Sequence, residues 1–445
     1  MKKFMILALA LAATFMFVVP AMAVDLEFSG HYRLRGYFID KPSLEDDAAD
    51  EQGASDAQFD NRFRLQTVFK IHDRLKITTR FDGNDTTFES DSASDSTTGE
   101  DFDFERAWLT ASFDMFDLHA GRMAGGFCGL KFCDSERDAA RIKVAMKDIE
   151  PYFLTVLYEK RNEEDYDDDY TFSSDEADQD YDNYAALGGW TSESMEVGLL
   201  YVAYDDARDT SYDRFFHLFD PWFKGLFGPV TVQAEAQWFT GDWQDYDDST
   251  ADRDLDALRY FIDIGADLGV ANVGVAYAHA DGQERQNADN SEDQNVLPYG
   301  WFGGTDWEPL LILTHSNVGA NLGGYGNLNG ANGGYTANSN LTYIGMDMFY
   351  VYGSFAPMET LTLDATLGFV SADELGRFED EEGLSNVDDD LGWEFDLGAT
   401  WQIMDSLTYN IKAAYYDAGD FWKLGDSAAQ VDDAFAVMNA MVVTF

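Results

Sequence analysis

Cysteine is almost absent from this chain: Cys128 and Cys133 are the two it has. That excludes a disulfide-built scaffold, and no C-x-x-C-H haem site is present. Histidine is nearly as scarce, with six residues scattered at 31, 72, 119, 217, 279 and 315. No G-x-S-x-G accompanies them, so a serine hydrolase, and with it enzymatic function, is not expected. Positive charge is also in short supply. Twenty-nine Lys and Arg stand against 83 Asp and Glu, a formal net charge of −54. Nucleic acid is therefore excluded as a partner, because phosphate binding needs a basic face. Beyond the N-terminal segment no run of 18 apolar residues occurs, so no transmembrane helix is expected. Proline is limited to eight residues, which leaves long strands uninterrupted.

What is present points elsewhere. Lys2 and Lys3, the apolar run 4–19 and Ala21-Met22-Ala23 form a secretory signal peptide. The mature chain is expected from Val24, as a single domain over 24–445. Its apolar residues recur with period two. Leu26, Phe28, Tyr32, Leu34 and Phe38 alternate with Glu27, Ser29, His31, Arg33 and Arg35; Phe59, Phe63, Leu65 and Phe69 alternate with Asp60, Arg62, Arg64 and Lys70. Such runs exceed ten residues, the length of a tilted strand crossing a bilayer. Short turns are expected at 72–74, 114–117, 147–151, 192–194, 225–229, 268–271, 356–359 and 404–406. Long loops are expected at 40–57, 83–101, 124–136, 162–182, 205–211, 241–256, 281–340, 373–390 and 419–431. The fold class is therefore all-β: a transmembrane antiparallel β-barrel of eighteen strands, or sixteen if the weakly patterned 118–123 and 152–161 are not strands. Short periplasmic turns and long acidic extracellular loops are its signature. The cell outer membrane is the expected location, with lipid and lipopolysaccharide as surroundings. The final strand places Phe435, Val437, Met441, Val443 and Phe445 on one face, which resembles the C-terminal signal read by the outer-membrane assembly machinery. A homo-oligomer and a monomer both fit.

Charge is unevenly placed. Segment 162–182 holds eleven acidic and no basic residues. The plain reading is a solvated outer surface; Asp167-Asp168-Asp169 would also suit a weak Ca²⁺ or Mg²⁺ site. No other cofactor is implied. Basic residues fall instead at positions alternating with lipid-facing ones. Arg33, Arg35, Arg62, Arg64, Lys70, Lys76, Arg80, Arg106, Arg122, Arg141 and Lys143 are expected to line one side of the lumen, because Arg or Lys at the bilayer midplane costs about 2–4 kcal/mol. They would either attract anionic solutes or pair with Glu27, Asp60, Asp82 and Glu105. Glu235, Asp263, Asp347, Asp364, Glu394 and Asp396 are expected on an acidic side. Loop 281–340 carries the apolar run Pro309–Leu313 among Gly-rich stretches, and suits a constriction or lid. Cys128 and Cys133 flank four residues and predict a small disulfide loop in an oxidising compartment.

Phe104-Glu105-Arg106-Ala107-Trp108-Leu109 and Ala120-Gly121-Arg122-Met123, with Gly125-Gly126-Phe127, Asp134 and Arg137-Asp138-Ala139-Ala140-Arg141 after them, resemble the alginate-export-like porins. That resemblance implies eighteen strands and a basic lumen. The function expected is an outer-membrane porin for small hydrophilic or charged solutes. The alternative is a structural or surface barrel, or a partner in an extracellular electron-transfer or polysaccharide-export complex.

Overall fold

The computed structural model describes residues 24–44, 55–87, 102–125, 129–133, 137–163, 179–209, 211–246, 250–285, 293–295, 307–315, 318–319, 322–326, 328 and 340–445. Residues 1–23, expected to be a signal peptide, the acidic triplet Asp167-Asp168-Asp169 and Cys128 lie outside these residues.

Eighteen strands form one antiparallel sheet closed on itself. They are β1 (Asp25–Asp40), β2 (Ser55–His72), β3 (Leu75–Thr87), β4 (Phe102–Ser112), β5 (Phe116–Ala124), β6 (Asp138–Met146), β7 (Tyr152–Asn162), β8 (Tyr181–Thr191) and β9 (Met195–Asp206). The second half comprises β10 (Tyr212–Phe227), β11 (Val230–Tyr246), β12 (Arg253–Asp267), β13 (Ala271–Ala280), β14 (Met346–Met358), β15 (Leu361–Ser371), β16 (Asp390–Met404), β17 (Leu407–Ala418) and β18 (Ala434–Thr444). Each strand pairs with its sequence neighbours, and β1 closes on β18 from His31 opposite Thr444 to Asp40 opposite Phe435. Hydrocarbon offers no partner to an open edge, so only closure satisfies every backbone group. The weakly patterned segments are strands β5 and β7, which settles the count at eighteen. The eight short turns all fall between consecutive strands at one end.

Period two divides each strand between two environments. On β1, Phe28, Tyr32, Leu34 and Phe38 are exposed outward, while Tyr37 and Ile39 are buried inside. The same outward belt continues through Phe59, Ile77, Leu109, Ile142, Leu154, Leu199, Ile262, Phe349, Leu397 and Ile411. A soluble protein could not carry so large an exposed apolar surface; facing acyl chains, it is the stable arrangement. Phe113, Tyr152, Phe227 and Trp401 sit exposed near the short turns, where an aromatic girdle meets the headgroups.

The interior is not an empty tube. The chain between β13 and β14 turns inward, and Leu310, Leu311, Ile312 and Leu313 are buried to 1% exposure or less. They join one apolar cluster with Met346, Met348 and Val370 from the barrel wall, Phe378 from a short helix α1 (Gly376–Glu382), and Phe421. Small inward residues make the room: Ala276, Ala278 and Ala280 on β13, and Gly368 on β15. A Cβ at Gly368 would lie 2.7 Å from Leu310 Cδ1, so alanine there would make the Leu310 side chain shift.

Candidate functional site

Register fixes which side chains face inward, because directly opposed residues share a face. Arg33 and Arg35 project inward from β1, opposite Arg62 and Asp60 on β2. Arg64 lies opposite Asp82, Lys70 opposite Lys76, and Arg80 opposite Arg106. Further round, Gly121 stands opposite Arg141 and His119 opposite Lys143, so both cations are also inward. Three rungs of this wall thus set like charges face to face, which repels. Carboxylates relieve it. Asp60 accepts from Arg33 at 3.0 Å and from Arg35 at 2.7 Å, and Asp82 accepts from Arg64 at 2.8 Å. Arg80 pairs with Glu105, Arg106 with Asp138 at 2.6 Å, and Arg141 with Glu159. Glu105 reaches inward because β4 carries a bulge there, between Phe104 and Arg106. Arg80, Arg106 and Arg141 are buried in these contacts. Arg33 and Arg64 keep 23% and 21% of their side chains exposed, and Lys76 is exposed.

One basic residue is on the other face. Arg122 lies opposite Ala107 on β5, in line with outward Leu109, and its Nε donates to the Glu105 carbonyl at 3.0 Å. It sits two residues from the long-loop end of its strand, where a long side chain reaches the headgroup layer. It does not line the lumen.

The acidic set needs more correction. Glu235, Asp263, Asp364, Glu394 and Asp396 face inward, but Asp347 does not. Its neighbours Met346 and Met348 point in, against the buried loop, and Asp347 points out to accept from Tyr277 Oη and to meet His279 Nδ1 at 2.9 Å. Glu394 and Asp396 are fully buried and line no water. They grip the loop's backbone: Ile312 N–H donates to Glu394 at 2.7 Å, Leu313 N–H to Glu394 at 2.9 Å and Leu311 N–H to Asp396 at 3.0 Å. Lys412 Nζ lies 2.8 Å from Asp396. Asp263 is buried and accepts from Tyr352 Oη at 2.7 Å. Glu235 is buried and accepts from Leu130 N–H at 2.7 Å. The acidic half is therefore mostly a socket for loop backbone.

Leu130 belongs to a second inward loop, between β5 and β6, that sequence reading did not place in the lumen. Phe132 stacks on Phe261 of β12 at 5.2 Å and meets Trp307 edge-on at 5.0 Å. The two loops thus start from distant parts of the barrel and touch inside it. The signal was there: Leu130 and Phe132 are apolar residues in a Gly-rich connection, as are Leu310–Leu313. Cys133 was expected in a disulfide with Cys128. Cys133 is a free, buried thiol set against Asp220 and Glu235 on the β10–β11 wall, and Cys128 lies outside the described residues.

His315 lies within the long loop and is buried, as are Thr314 before it and Val318 after it. Burial, with Arg35, Lys412 and Arg33 nearby, pushes its pKa from 6.5 down to about 3; Asp60 opposes the shift, and Glu308 Oε2 lies 3.6 Å from its Nε2. A released loop would bind a proton that the seated loop refuses. Seating is therefore fully favoured above pH 6.5 and loses ground as pH falls toward 3, by about 1.4 kcal/mol per pH unit at most. Channel recordings should show more frequent high-conductance openings across that window. His315→Gln should remove much of this response; an identical pH profile in the variant would place the acid sensor elsewhere.

Taken together, an apolar exterior, a closed eighteen-stranded sheet and a charged interior with inward loops make up the porin fold. Comparison with protein-family models and with curated proteins finds no match. Among solved structures, the chain is similar to a BenF-like porin from Pseudomonas fluorescens, with a TM-score of 0.54 at 10% identity over 95% of this chain and 99% of that one. It is also similar to Pseudomonas aeruginosa OccK8 (OprE), at 0.52 and 11% identity over 94% and 98%. P. aeruginosa OccK9 (OpdG) gives 0.52 and 13% identity over 95% and 99%.

Proposed function

We propose that the protein is an outer-membrane porin through which small hydrophilic solutes diffuse, with anionic groups drawn along the basic wall of β1–β6. The observation that carries this reading is the row of inward cations, with Arg33, Arg64 and Lys76 still reached by solvent. Charged rings facing an aqueous lumen bias which ions pass. The resemblance of segment 104–141 to alginate-export-like porins would make a linear polyanion the cargo. A polymer needs an unobstructed bore, and the contact between Phe132 and Trp307 inside the barrel favours small solutes instead. The reading needs no catalytic group.

Planar-bilayer recording tests it. The protein should give discrete conductance steps; a barrel that serves as a surface scaffold, or as a sleeve for a partner protein, should give none alone. Replacing Arg62 and Arg64 together by Ala removes two inward cations and takes from Asp82 its nearest one, leaving Arg80 at 4.0 Å. Both changes act in one direction, so the reversal potential in a salt gradient should move toward cation preference. An unmoved reversal potential would detach selectivity from this wall.

A further inference from the structure

The loop between β5 and β6 brings three metal-binding side chains together where none are close in sequence. Cys133 Sγ and one carboxylate oxygen each from Asp220 on β10 and Glu235 on β11 lie within 4.8 Å of one another, and all three residues are buried. The contacts around them hold the cluster in place. Glu235 Oε1 accepts from Leu130 N–H at 2.7 Å, and Asp220 Oδ2 accepts from Gln237 Nε2 at 2.8 Å. Gln237 Nε2 also reaches the Cys133 carbonyl at 3.5 Å, while its Oε1 accepts from Arg259 Nε at 2.7 Å. Gly129 makes the approach possible: it adopts φ +66°, and a Cβ there would sit 1.7 Å from Glu235 Oε1.

Glu235 is 2% exposed, yet its Oε2 receives no hydrogen bond. A buried carboxylate oxygen left so is costly, and a second carboxylate beside it raises the cost. We propose that Cys133, Asp220 and Glu235 bind a divalent cation of the zinc class. Sulfur among the donors disfavours Ca²⁺ and Mg²⁺, which take oxygen ligands, and suits Zn²⁺ or Cd²⁺. Bond lengths of about 2.0–2.3 Å put the ligand atoms of a tetrahedral ion roughly 3.5 Å apart, so the three side chains need close by about an ångström. Three protein ligands leave a fourth position for water. On binding, the Cys133 S–H bond breaks, a sulfur–metal bond forms, and the proton leaves to solvent. The Arg259 guanidinium, held against Gln237 and over the Phe132 ring, completes the balance. The thiolate, two carboxylates, divalent ion and guanidinium together carry no net charge.

Cobalt is the probe, because a cobalt–thiolate bond absorbs in the near ultraviolet and oxygen-only binding by acidic loops does not. The detergent-solubilised full chain, stripped with chelator, should develop a charge-transfer band that saturates at one Co²⁺ per chain and is reversed by Zn²⁺. Cys128→Ser should leave the band intact, Cys133→Ser should abolish it, and Glu235→Gln should weaken Co²⁺ binding at least ten-fold. In the Cys128→Ser protein, Zn²⁺ should also slow maleimide labelling of the remaining thiol, a readout that does not depend on whether the Cys133→Ser barrel assembles. Absence of the band, its survival in assembled Cys133→Ser protein, or labelling unchanged by Zn²⁺ would each overturn the proposal.

Discussion

Deleting residues 309–335 should raise single-channel conductance several-fold and leave the barrel assembled. The strands on either side keep their own ladders: β13 pairs with β14 from Ala271 opposite Phe355 to Ala280 opposite Met346. What the deletion removes is the buried run Leu310–Leu313, which fills space against Gly368, Met346 and Met348. Each such side chain contributes about 1.5–3 kcal/mol as an upper bound, enough together to hold the segment seated despite the entropy of ordering it. Heat-modifiable migration on a gel reports assembly, and bilayer recording reports the bore. Unchanged conductance in an assembled variant would mean that solutes pass elsewhere, along the β1–β6 wall or past the Phe132 loop.

Glu394→Ala should have the next largest effect. The carboxylate is fully buried and accepts two loop N–H groups, from Ile312 and Leu313. Without it both donors remain buried with no acceptor, at a cost of about 1–3 kcal/mol each. Opening the loop to water restores their hydrogen bonds, so the variant should flicker between the parent conductance and a larger one, and residues 309–315 should become sensitive to added protease. Glu394→Gln keeps an acceptor oxygen and should fall between. A Glu394→Ala channel as quiet as the parent would show that apolar packing alone seats the loop.

The sequence disclosed the barrel because lipid and lumen impose opposite preferences on alternate residues, and that contrast is local. Arg62 between Phe63 and neighbouring Asn61 could be oriented without any knowledge of its partners. The same reasoning failed at Asp347, where the lumen is packed with apolar side chains and the inward positions are Met346 and Met348. There the rule of polar residues inside and apolar outside is reversed, by loop residues Leu310–Leu313 that precede this strand in sequence. Arg122 was misplaced for a different reason: its strand is short and its face depends on the ladder with Ala107, which alternation over so few residues does not reveal. Glu394 and Asp396 face inward without lining water, because loop backbone covers them. That is a tertiary fact with no local signature. Cys133 shows the same limit, since spacing from Cys128 says nothing of the wall against which it is set.

The way the loops are fastened has a consequence for how such a channel can be altered. At Glu394 and Asp396 the wall supplies a side chain and the long loop supplies only peptide N–H groups. Every residue except proline offers that donor. The fastening is therefore indifferent to most of what the loop spells, and asks only for apolar bulk nearby and glycine where a backbone must come close. The inward loop can be treated as an exchangeable cassette on a permanent frame: rewriting its solvent-facing letters should retune what passes while the latch, and the barrel that bears it, stay as they are.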